Sequence, residues 1–548
     1  MFSSQKNTLL KQPIHVSNLY HIMNSNAIIT WFDNHGEYNG YKPNETNNLS
    51  KKKLPSDKLL HFINWVIKIN NKNLKIHDAE NSLEKTSSAF LTSDLIIINP
   101  YIQNHEIVST PASLIHSSVL QDVFKKIGYS WEIPFCNYVA IDFCSDEIKE
   151  KKKLTPLLNG KDVRHFKTTF ESSQRILDGL QINNNSNGNF LGGLLIDNNW
   201  SSENSSAFRY YLYNCNHNCS YENALQSYHY IINHPEPCFG KILELCPNMN
   251  INNSKWSKCI QEISIENSEI TLIYKCTTKI RQTAWELGVH DFHGLLSISD
   301  KINLPSISSK IIWANHRDNL FPIITPRKLK QKNNLTMLTE IEDCPWFTCD
   351  FETINEDGKL WIFMITTSIS VGNKFIKIQT NTMESLTSSE QIRILNDWMN
   401  WMKEELLTIS DVSLEKVNIF HWSNAEKAFL KNCINQYELE KQLETDLNNI
   451  KWYDVCEVFK KEEIVIPGAF NYKLKNVAEA LLKQKKINHT WDDDVKNGFV
   501  AMQLALENYK SKKRCHSVKK HFLTRIQKYN ENDVLVLEDI VHFLKTMK

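Results

Sequence analysis

The amino-acid sequence predicts an α/β protein of two domains, the second built on a mixed β-sheet with helices on both faces. The chain has 548 residues, whereas a single hydrophobic core seldom serves more than about 250 to 300 residues. Residues 301–340 contain three prolines and a polar run before the aromatic segment CPWFTCDFET. We therefore expect a boundary near 335 to 343, which gives predicted domains of residues 1–335 and 336–548.

The order of elements after this boundary supports the mixed sheet, because three successive strands are followed by alternating helices and strands. The next helix begins at a capping box, Thr387 to Glu390, and repeats apolar residues from Ile392 to Leu406 at helical spacing. Helices continue from the last strand to residue 548. The predicted strands are 344–353, 359–371, the segment KFIKIQ, 417–422 and 451–455.

Composition and charge describe an ordinary globular protein and identify no partner. Hydrophobic residues make up 41% and charged residues 23% of the chain, with 63 Lys and Arg against 62 Asp and Glu. No apolar run is long enough to span a membrane, and the first residues lack the apolar core of a signal peptide. The thirteen cysteines include no CxxC pair and fit reduced thiols. We expect an intracellular protein of the cytoplasm or nucleus.

Two carboxylates stand on the first strand of the second half. Asp350 and Glu352 are two positions apart, so the alternation of a strand directs both to one face. Such a pair usually marks a solvated face. This strand is apolar and aromatic, however, and is expected at the centre of a sheet, where carboxylates are costly unless they hold a cation.

Further acidic positions follow on helices. Glu426 begins the helix after the fourth strand, where an acid is also favoured by the helix dipole alone. Tyr529 and Asp533 lie one turn apart on the last helix and share a face, although a surface pair would show the same spacing. These groups form one site only if the fold brings them together, as a ribonuclease H-like fold does.

These residues carry a resemblance to a known family. The last ~205 residues resemble the DEDD superfamily of 3′-to-5′ exonucleases, in particular YprB-like ribonuclease H domains attached to RecB-like nucleases. CDFET is similar to the first motif, HWSNAEKAFL to the second, and YNEND to the third motif of the tyrosine subgroup, DEDDy. The segment WYDVCEVFKKEEIVIPGAFNYKLKNVAEAL resembles the stretch between the second and third motifs.

The resemblance implies a site and an activity. Asp350, Glu352, Glu426 and Asp533 would bind two Mg²⁺ or Mn²⁺ ions, and Tyr529 would orient the attacking water. The chain would then be a hydrolase acting on DNA or RNA by a two-metal mechanism. The superfamily usually has Asp at the second position, so Asp454 competes with Glu426; its other interpretation is a structural residue at a strand end.

Nucleic-acid contacts are predicted in the basic tract KSKKRCHSVKK, residues 510–520, because lysines there could hold a phosphate backbone. A solvated helix end is the other interpretation. Trp422 and Trp491 could stack on bases or pack in the core. The predicted contacts are positions 511, 512, 513, 514, 519 and 520, of which Lys512, Lys513, Arg514, Lys519 and Lys520 are charged and Ser511 is not.

The first half resembles the core of RecB-like PD-(D/E)XK nucleases in the order of its elements. Matched residue by residue, Ala112 replaces the first Asp, Asp142 persists, Cys144 replaces the Lys, and Gln174 persists. Loss of an acid and of the lysine implies an inactive domain that serves as a scaffold or nucleic-acid clamp. A partner-binding domain without nuclease ancestry is the alternative.

Two further hypotheses concern the whole chain. It could be a catalytically inactive nucleic-acid-binding or assembly protein that keeps the nuclease fold, but all four acids are present. It could also serve a helicase or repair machine. No GxxxxGK[ST] motif occurs in the sequence, so any motor would be a partner chain.

Overall fold

The protein is described by a computed structural model that divides into two compact units, Met1–Thr271 and Leu272–Lys548. The structure describes residues 14–23, 25–44, 56–70, 74–104, 107–128, 137–143, 155–156, 164–180, 182, 190–196, 208–213, 219–250, 255–316, 329–356, 359–409, 414, 417–491, 498–510 and 516–547.

The first unit mixes short strands with helices. Its strands are β1 (Ile14–His15), β2 (Ile76–Asp78), β3 (Ile96–Ile98), β4 (Ile102–Gln103), β5 (Ile107–Ser109), β6 (Ser113–His116), β7 (Tyr138–Phe143), β8 (Thr155–Pro156), β9 (Phe190–Ile196) and β10 (Phe208–Tyr213). Its helices are α1 (Val16–Met23), α2 (Ala27–Trp31), α3 (Ser56–Asn70), α4 (Leu83–Leu91), α5 (Ser117–Lys126), α6 (Arg164–Gly179), α7 (Cys219–Asn233) and α8 (Ser257–Glu266).

The larger sheet of this unit is covered on both faces at its strand β7. Within the described residues its strand order is β2-β3-β6-β7-β9-β10-β8. Val139 and Ile141 of β7 pack with residues of α3 and α5, while Tyr138 and Ala140 pack with residues of α1, α6 and α7. Because neighbouring residues of a strand point to opposite faces, a nearly continuous apolar run is what two covered faces require.

The second unit begins with helices and continues as an α/β domain. Its strands are β11 (Pro345–Glu356), β12 (Lys359–Val371), β13 (Lys374–Thr382), β14 (Asn418–His421) and β15 (Lys451–Asp454). Its helices are α9 (Thr278–Glu286), α10 (Ser299–Ile302), α11 (Ser306–Ala314), α12 (Lys332–Glu340), α13 (Ser388–Ile409), α14 (Ala425–Gln436), α15 (Lys441–Asn448), α16 (Val455–Lys461), α17 (Leu474–Lys483), α18 (Gly498–Lys510) and α19 (His516–Lys545).

The sheet of the second unit is mixed, which confirms the predicted fold class. In its described part the strand order is β13-β12-β11-β14-β15. Strands β11, β12 and β13 are antiparallel neighbours, whereas β14 runs parallel to β11 and β15 parallel to β14. The predicted strands are all present, with β11 and β13 extending three residues farther than expected. Strand β11 therefore lies at the centre of the sheet.

Alternation along β11 separates an apolar face from a polar face. Phe347 and Phe351 point to the side covered by α13, where Phe351 contacts Trp398 with ring centroids 5.3 Å apart. Thr348 points to the opposite side, and its hydroxyl donates to the Val534 carbonyl of α19 at 3.4 Å. Asp350 and Glu352 share the parity of Thr348, so the strand directs both acids toward α19.

The compact units divide earlier in the chain than the predicted boundary near 335 to 343, because the segment after Thr271 packs within the second unit. The carboxylate of Glu462 accepts hydrogen bonds from the backbone N–H groups of Lys330 at 2.6 Å and Gln331 at 2.9 Å. The Tyr274 N–H donates to the Phe470 carbonyl at 2.9 Å. Among the described helices none is long and apolar enough to cross a membrane.

Candidate active site

Three carboxylates lie close together beside the central strand of the five-stranded sheet in the second unit. One oxygen from each of Asp350, Glu352 and Asp533 lies within 4.8 Å of the other two. Glu352 is 6% exposed and Asp533 is 7% exposed. Strand β11 supplies two of these acids by alternation and α19 supplies the third, so the predicted convergence of the first and third motifs is present in the structure.

Helix α19 holds its side of the site through hydrogen bonds to the acids. Tyr529 lies one turn before Asp533, and its hydroxyl donates to the Asp533 carboxylate. The adjacent Asn530 is fully buried and donates its side-chain amide to Asp350 Oδ2. The Trp491 indole N–H donates to Asp533 Oδ1 at 2.7 Å. The third acid is thus oriented by two donors before any ion is considered.

Glu426 approaches the same site from the first turn of α14. It lies outside the group of three that the described residues form, but its carboxyl group shares a hydrogen bond with that of Asp350. Glu426 is 4% exposed, and its Oε2 lies 2.9 Å from Nδ1 of the buried His421. The second predicted acid therefore borders the cluster and is held by the last residue of β14.

Asp454, the competing candidate, has contacts of another kind. Its Oδ1 accepts the backbone N–H of Ser423 at 3.0 Å and that of Glu457 at 3.1 Å. Ser423 has a φ of 72°, a left-handed conformation that is costly for a residue with a side chain. Asp454 thus caps α16 and fixes the turn between β14 and α14, from which Glu426 extends toward Asp350.

Burial and mutual repulsion raise the pKa values of these acids. Burial raises the pKa of Asp350 well above its usual range, and the charges of Asp533, Glu426 and Glu352 raise it further. Burial likewise raises the pKa of Glu352 and of Glu426. For Asp533 burial raises the pKa to about 6. A site of this kind retains protons near neutral pH and releases them when cations enter.

Lys475 and two aromatic rings also belong to the site, and sequence reasoning gave Lys475 no role. The Lys475 Nζ lies 4.9 Å from the Tyr529 ring centroid and 5.1 Å from that of Trp491. Its charge lowers the pKa of Glu352 and of Asp533. Lys475 stands in a segment that resembles the family, yet no spacing within it distinguishes this lysine from its neighbours.

Trp422 and Trp491 have different environments. The Trp422 indole N–H donates to the Tyr472 carbonyl at 3.1 Å, and its ring packs against Phe459 at 5.6 Å. Trp422 is therefore a core residue. Trp491 is half-buried and contacts both Lys475 and Asp533.

The basic tract is only partly within the described structure. Positions 511–515 lie outside the described residues. Lys519 and Lys520 belong to the backbone of α19, but their side chains lie outside the described part as well. Their role in nucleic-acid binding stays a prediction.

In the first unit the structure brings two of the four matched positions together. The Ala112 N–H donates to Asp142 Oδ1 at 3.2 Å, and burial raises the pKa of Asp142 to about 7. The buried Gln174 on α6 donates instead to Asp178 Oδ1 at 3.3 Å. Cys144 lies outside the described residues. Ala112 offers Asp142 only a backbone N–H, so this pair supplies one carboxylate rather than the two acids of the matched nuclease motif. The nuclease ancestry stays a prediction.

The acids of the second unit suit a divalent cation by their chemistry. Carboxylate oxygens are the ligands that Mg²⁺ and Mn²⁺ prefer, and three of them lie close enough to share an ion. Asn530 Oδ1 is buried without a hydrogen-bond partner, which leaves one further oxygen beside the acids. Without cations, so many buried carboxylates would be a large electrostatic cost.

Comparison with known proteins agrees with this assignment for the second unit. None of the curated proteins and none of the solved structures matches the chain. A family model of the RNase H superfamily matches residues 349–545, from the residue before Asp350 to the end of α19. The carboxyl-terminal half of the chain therefore carries an RNase H-like domain, which indicates metal-dependent nuclease chemistry on a nucleic acid.

Proposed function

We propose that the second unit is a 3′-to-5′ exonuclease of the DEDDy type that hydrolyses phosphodiester bonds of DNA or RNA by a two-metal mechanism. The observation that carries this proposal is the convergence of Asp350, Glu352 and Asp533 within 4.8 Å, with Glu426 hydrogen-bonded to Asp350. A domain that only bound nucleic acid would gain nothing from four acids at one buried place, so an inactive binding protein is not favoured.

The four acids would hold two Mg²⁺ or Mn²⁺ ions. Bound there, the ions would compensate charge on the phosphate and lower the pKa of a water molecule. The chain supplies the fixed geometry: β11 presents Asp350 and Glu352 from the middle of a sheet, and Trp491 holds Asp533 by a hydrogen bond of 2.7 Å. Ligands on rigid elements need little reorganisation when the substrate arrives.

Tyr529 would position the attacking water rather than remove its proton. Burial and the carboxylates of Asp533, Glu352 and Asp350 raise its pKa far above the usual range, so the phenol stays protonated. Its hydroxyl donates to Asp533 and keeps lone pairs that accept a hydrogen bond from water. A neutral phenol can orient the water but cannot act as a general base near neutral pH.

The remaining predictions complete the proposal. Lys512, Lys513, Arg514, Lys519 and Lys520 would bind the phosphate backbone of the incoming strand. The first unit would serve as a non-catalytic scaffold or clamp. Any helicase or repair motor that works with this nuclease would be a partner chain.

The test is degradation of end-labelled single-stranded DNA, single-stranded RNA and duplexes in Mg²⁺ or Mn²⁺. We expect successive release of mononucleotides from the 3′ end. A circular single strand separates end-dependent cleavage from internal cleavage, and it should remain intact. The variants are Asp350→Asn and Asp533→Asn, which keep side-chain shape and remove charge, and both should lose activity by a factor of at least ~10³.

Asp397→Asn is the matched control, because Asp397 lies on the surface of α13 with its side chain 48% exposed and pairs with Arg393 at 2.7 Å. It should retain wild-type activity. Equal degradation by the wild type and both site variants would refute the site. An inert wild-type protein that nonetheless binds Mn²⁺ in calorimetry would refute the catalytic function.

A further inference from the structure

We infer that Lys475 binds a non-bridging oxygen of the scissile phosphodiester and is a catalytic residue in addition to the four acids and Tyr529. The inference rests on the proposed function, since it concerns the substrate of that site. Two aromatic side chains contact the Lys475 ammonium group, and both of them also contact Asp533.

The position of Lys475 is fixed from two sides. Lys475 is the second residue of α17, and its Nζ lies 4.9 Å from the ring centroid of Tyr529 and 5.1 Å from that of Trp491. Both distances are within the range of a cation–π contact. The same two rings donate hydrogen bonds to Asp533, through the Tyr529 hydroxyl and the Trp491 indole N–H. The two ring contacts therefore restrict the ammonium group to a position beside the acids.

Charge balance indicates what this ammonium group is for. Asp350, Glu352, Glu426 and Asp533 carry four negative charges when ionised, and two divalent ions would neutralise them. A counter-ion for the acids alone would then be superfluous, and it would oppose metal binding by repulsion. The substrate adds one negative charge, on the scissile phosphodiester, and Lys475 supplies one positive charge to meet it.

The chemistry of lysine fits this task. An ammonium group is a compact charge with three donors and is a common ligand for phosphate oxygens. Negative charge increases on those oxygens as the water attacks, so a fixed cation stabilises the transition state more than the ground state. Removal of one such donor in other enzymes lowers the rate by about 10²- to 10³-fold.

The test compares Lys475→Met, Lys475→Gln and Lys475→Arg with a matched control, Lys473→Met. Lys473 is exposed and lies two residues earlier, at the N-cap of α17. Three quantities are measured: Mn²⁺ affinity by calorimetry, affinity for a single-stranded oligonucleotide with Ca²⁺ as an ion that supports binding in place of Mn²⁺, and single-turnover cleavage at saturating Mn²⁺. Thermal melts identify any variant that does not fold.

For Lys475→Met and Lys475→Gln we expect Mn²⁺ to bind at least as tightly as to the wild type, because a repelling cation is gone. Oligonucleotide affinity in Ca²⁺ should fall about tenfold, and cleavage at saturating Mn²⁺ about 100-fold. Lys475→Arg, which keeps the charge, should recover part of both losses. Lys473→Met should match the wild type throughout.

Two results would overturn the inference while leaving the proposed function intact. Unchanged cleavage at saturating Mn²⁺ together with tighter metal binding would make Lys475 a counter-ion of the acids. Weaker metal binding that fully explains slower cleavage would make it a structural support of the acids. A wild type that cleaves nothing contradicts the proposed function instead, and the oligonucleotide affinities in Ca²⁺ then still decide whether Lys475 binds the phosphate backbone.

Discussion

In the absence of metal, Asp533→Asn should stabilise the protein. Burial raises the pKa of Asp533 from its ordinary value of 3.8 to about 6. The unfolded chain therefore ionises this carboxylate near pH 4, whereas the folded chain ionises it only near pH 6. Because the folded state binds the proton more tightly, the free energy of unfolding falls as pH rises through this window and stays lower above it. Asparagine has the same shape and does not ionise, so the variant does not lose this part of the free energy of unfolding.

The size of the effect follows from the pKa difference. Two pKa units correspond to about 3 kcal/mol at a pH above 6. For a domain of this size that is a rise in Tm of roughly 6 to 12 °C. At pH 4 the carboxyl group is protonated in the folded state and about half protonated in the unfolded state, so the difference in Tm between Asp533→Asn and the wild type should there be small.

The assay is thermal unfolding in EDTA at pH 4 and pH 8, repeated at pH 8 with saturating Mn²⁺. Excess Mn²⁺ should stabilise the wild type and reverse the order, since the variant has lost a ligand. Asp539→Asn is the control on the same helix, because its carboxylate accepts the N–H groups of Asn488 at 2.7 Å and His489 at 2.8 Å. It should lower the Tm. A lower or unchanged Tm for Asp533→Asn in EDTA at pH 8 would refute the reasoning.

Two further predictions concern buried or capping acids of the second unit that lie outside the acidic cluster. Glu462→Ala removes the acceptor of Lys330, Gln331 and Asn334 and should lower the free energy of unfolding by about 3 kcal/mol. Urea denaturation measures this loss, and Glu462→Gln should show a smaller one. An unchanged denaturation midpoint for Glu462→Ala would contradict the prediction. Asp454→Ala removes the cap of α16 and the acceptor of Ser423, so we expect a loss of about 1 to 2 kcal/mol and weaker Mn²⁺ binding in calorimetry. Full metal affinity in that variant would show that the Ser423 turn does not position Glu426.

The fold of the second half was predictable because its elements carry strong local patterns. Alternation in CPWFTCDFET and KLWIFMITTSISVG identifies strands, and the spacing of apolar residues from Ile392 to Leu406 identifies α13. The predicted capping box is formed in part: Thr387 Oγ1 accepts the Glu390 N–H at 3.3 Å. The Glu390 carboxylate, however, accepts the Glu384 N–H at 2.8 Å and binds Arg393, both of which lie outside the four-residue motif.

The site was predictable only where a residue lies on a patterned element. Asp350, Glu352 and Asp533 stand on a strand and a helix whose faces can be deduced, and the fold places them together. Asn530 lies three positions before Asp533 on α19, so helical spacing places it near the same face, but this spacing does not indicate that its amide binds Asp350. Trp491 reaches the site from an irregular segment, where no period constrains its direction. Lys475 lies in the first turn of α17, where the sequence does not distinguish it from the nearby Lys473.

The position of the division between the two units was also difficult to predict from local sequence patterns. Prolines and polar residues between 301 and 340 mark irregular chain, and irregular chain is the usual sign of a linker. Which side a connecting segment packs against depends on distant partners, such as Phe470 for Tyr274 and Glu462 for Lys330. Those partners follow it by more than a hundred positions and leave no trace in its own sequence.

The amide of Asn530 and the carboxylate of Asp350 meet although 180 positions separate them. Ions shared by Asp350 and Asp533 would therefore act as a cross-link that closes the segment from β11 to α19 into one loop. Closing a loop of this length in the unfolded chain corresponds to roughly 5 kcal/mol of chain entropy by the model used for disulfides. The ions would thus tie the last helix to the first strand, and chelation would loosen the fold at the same place where it stops the chemistry.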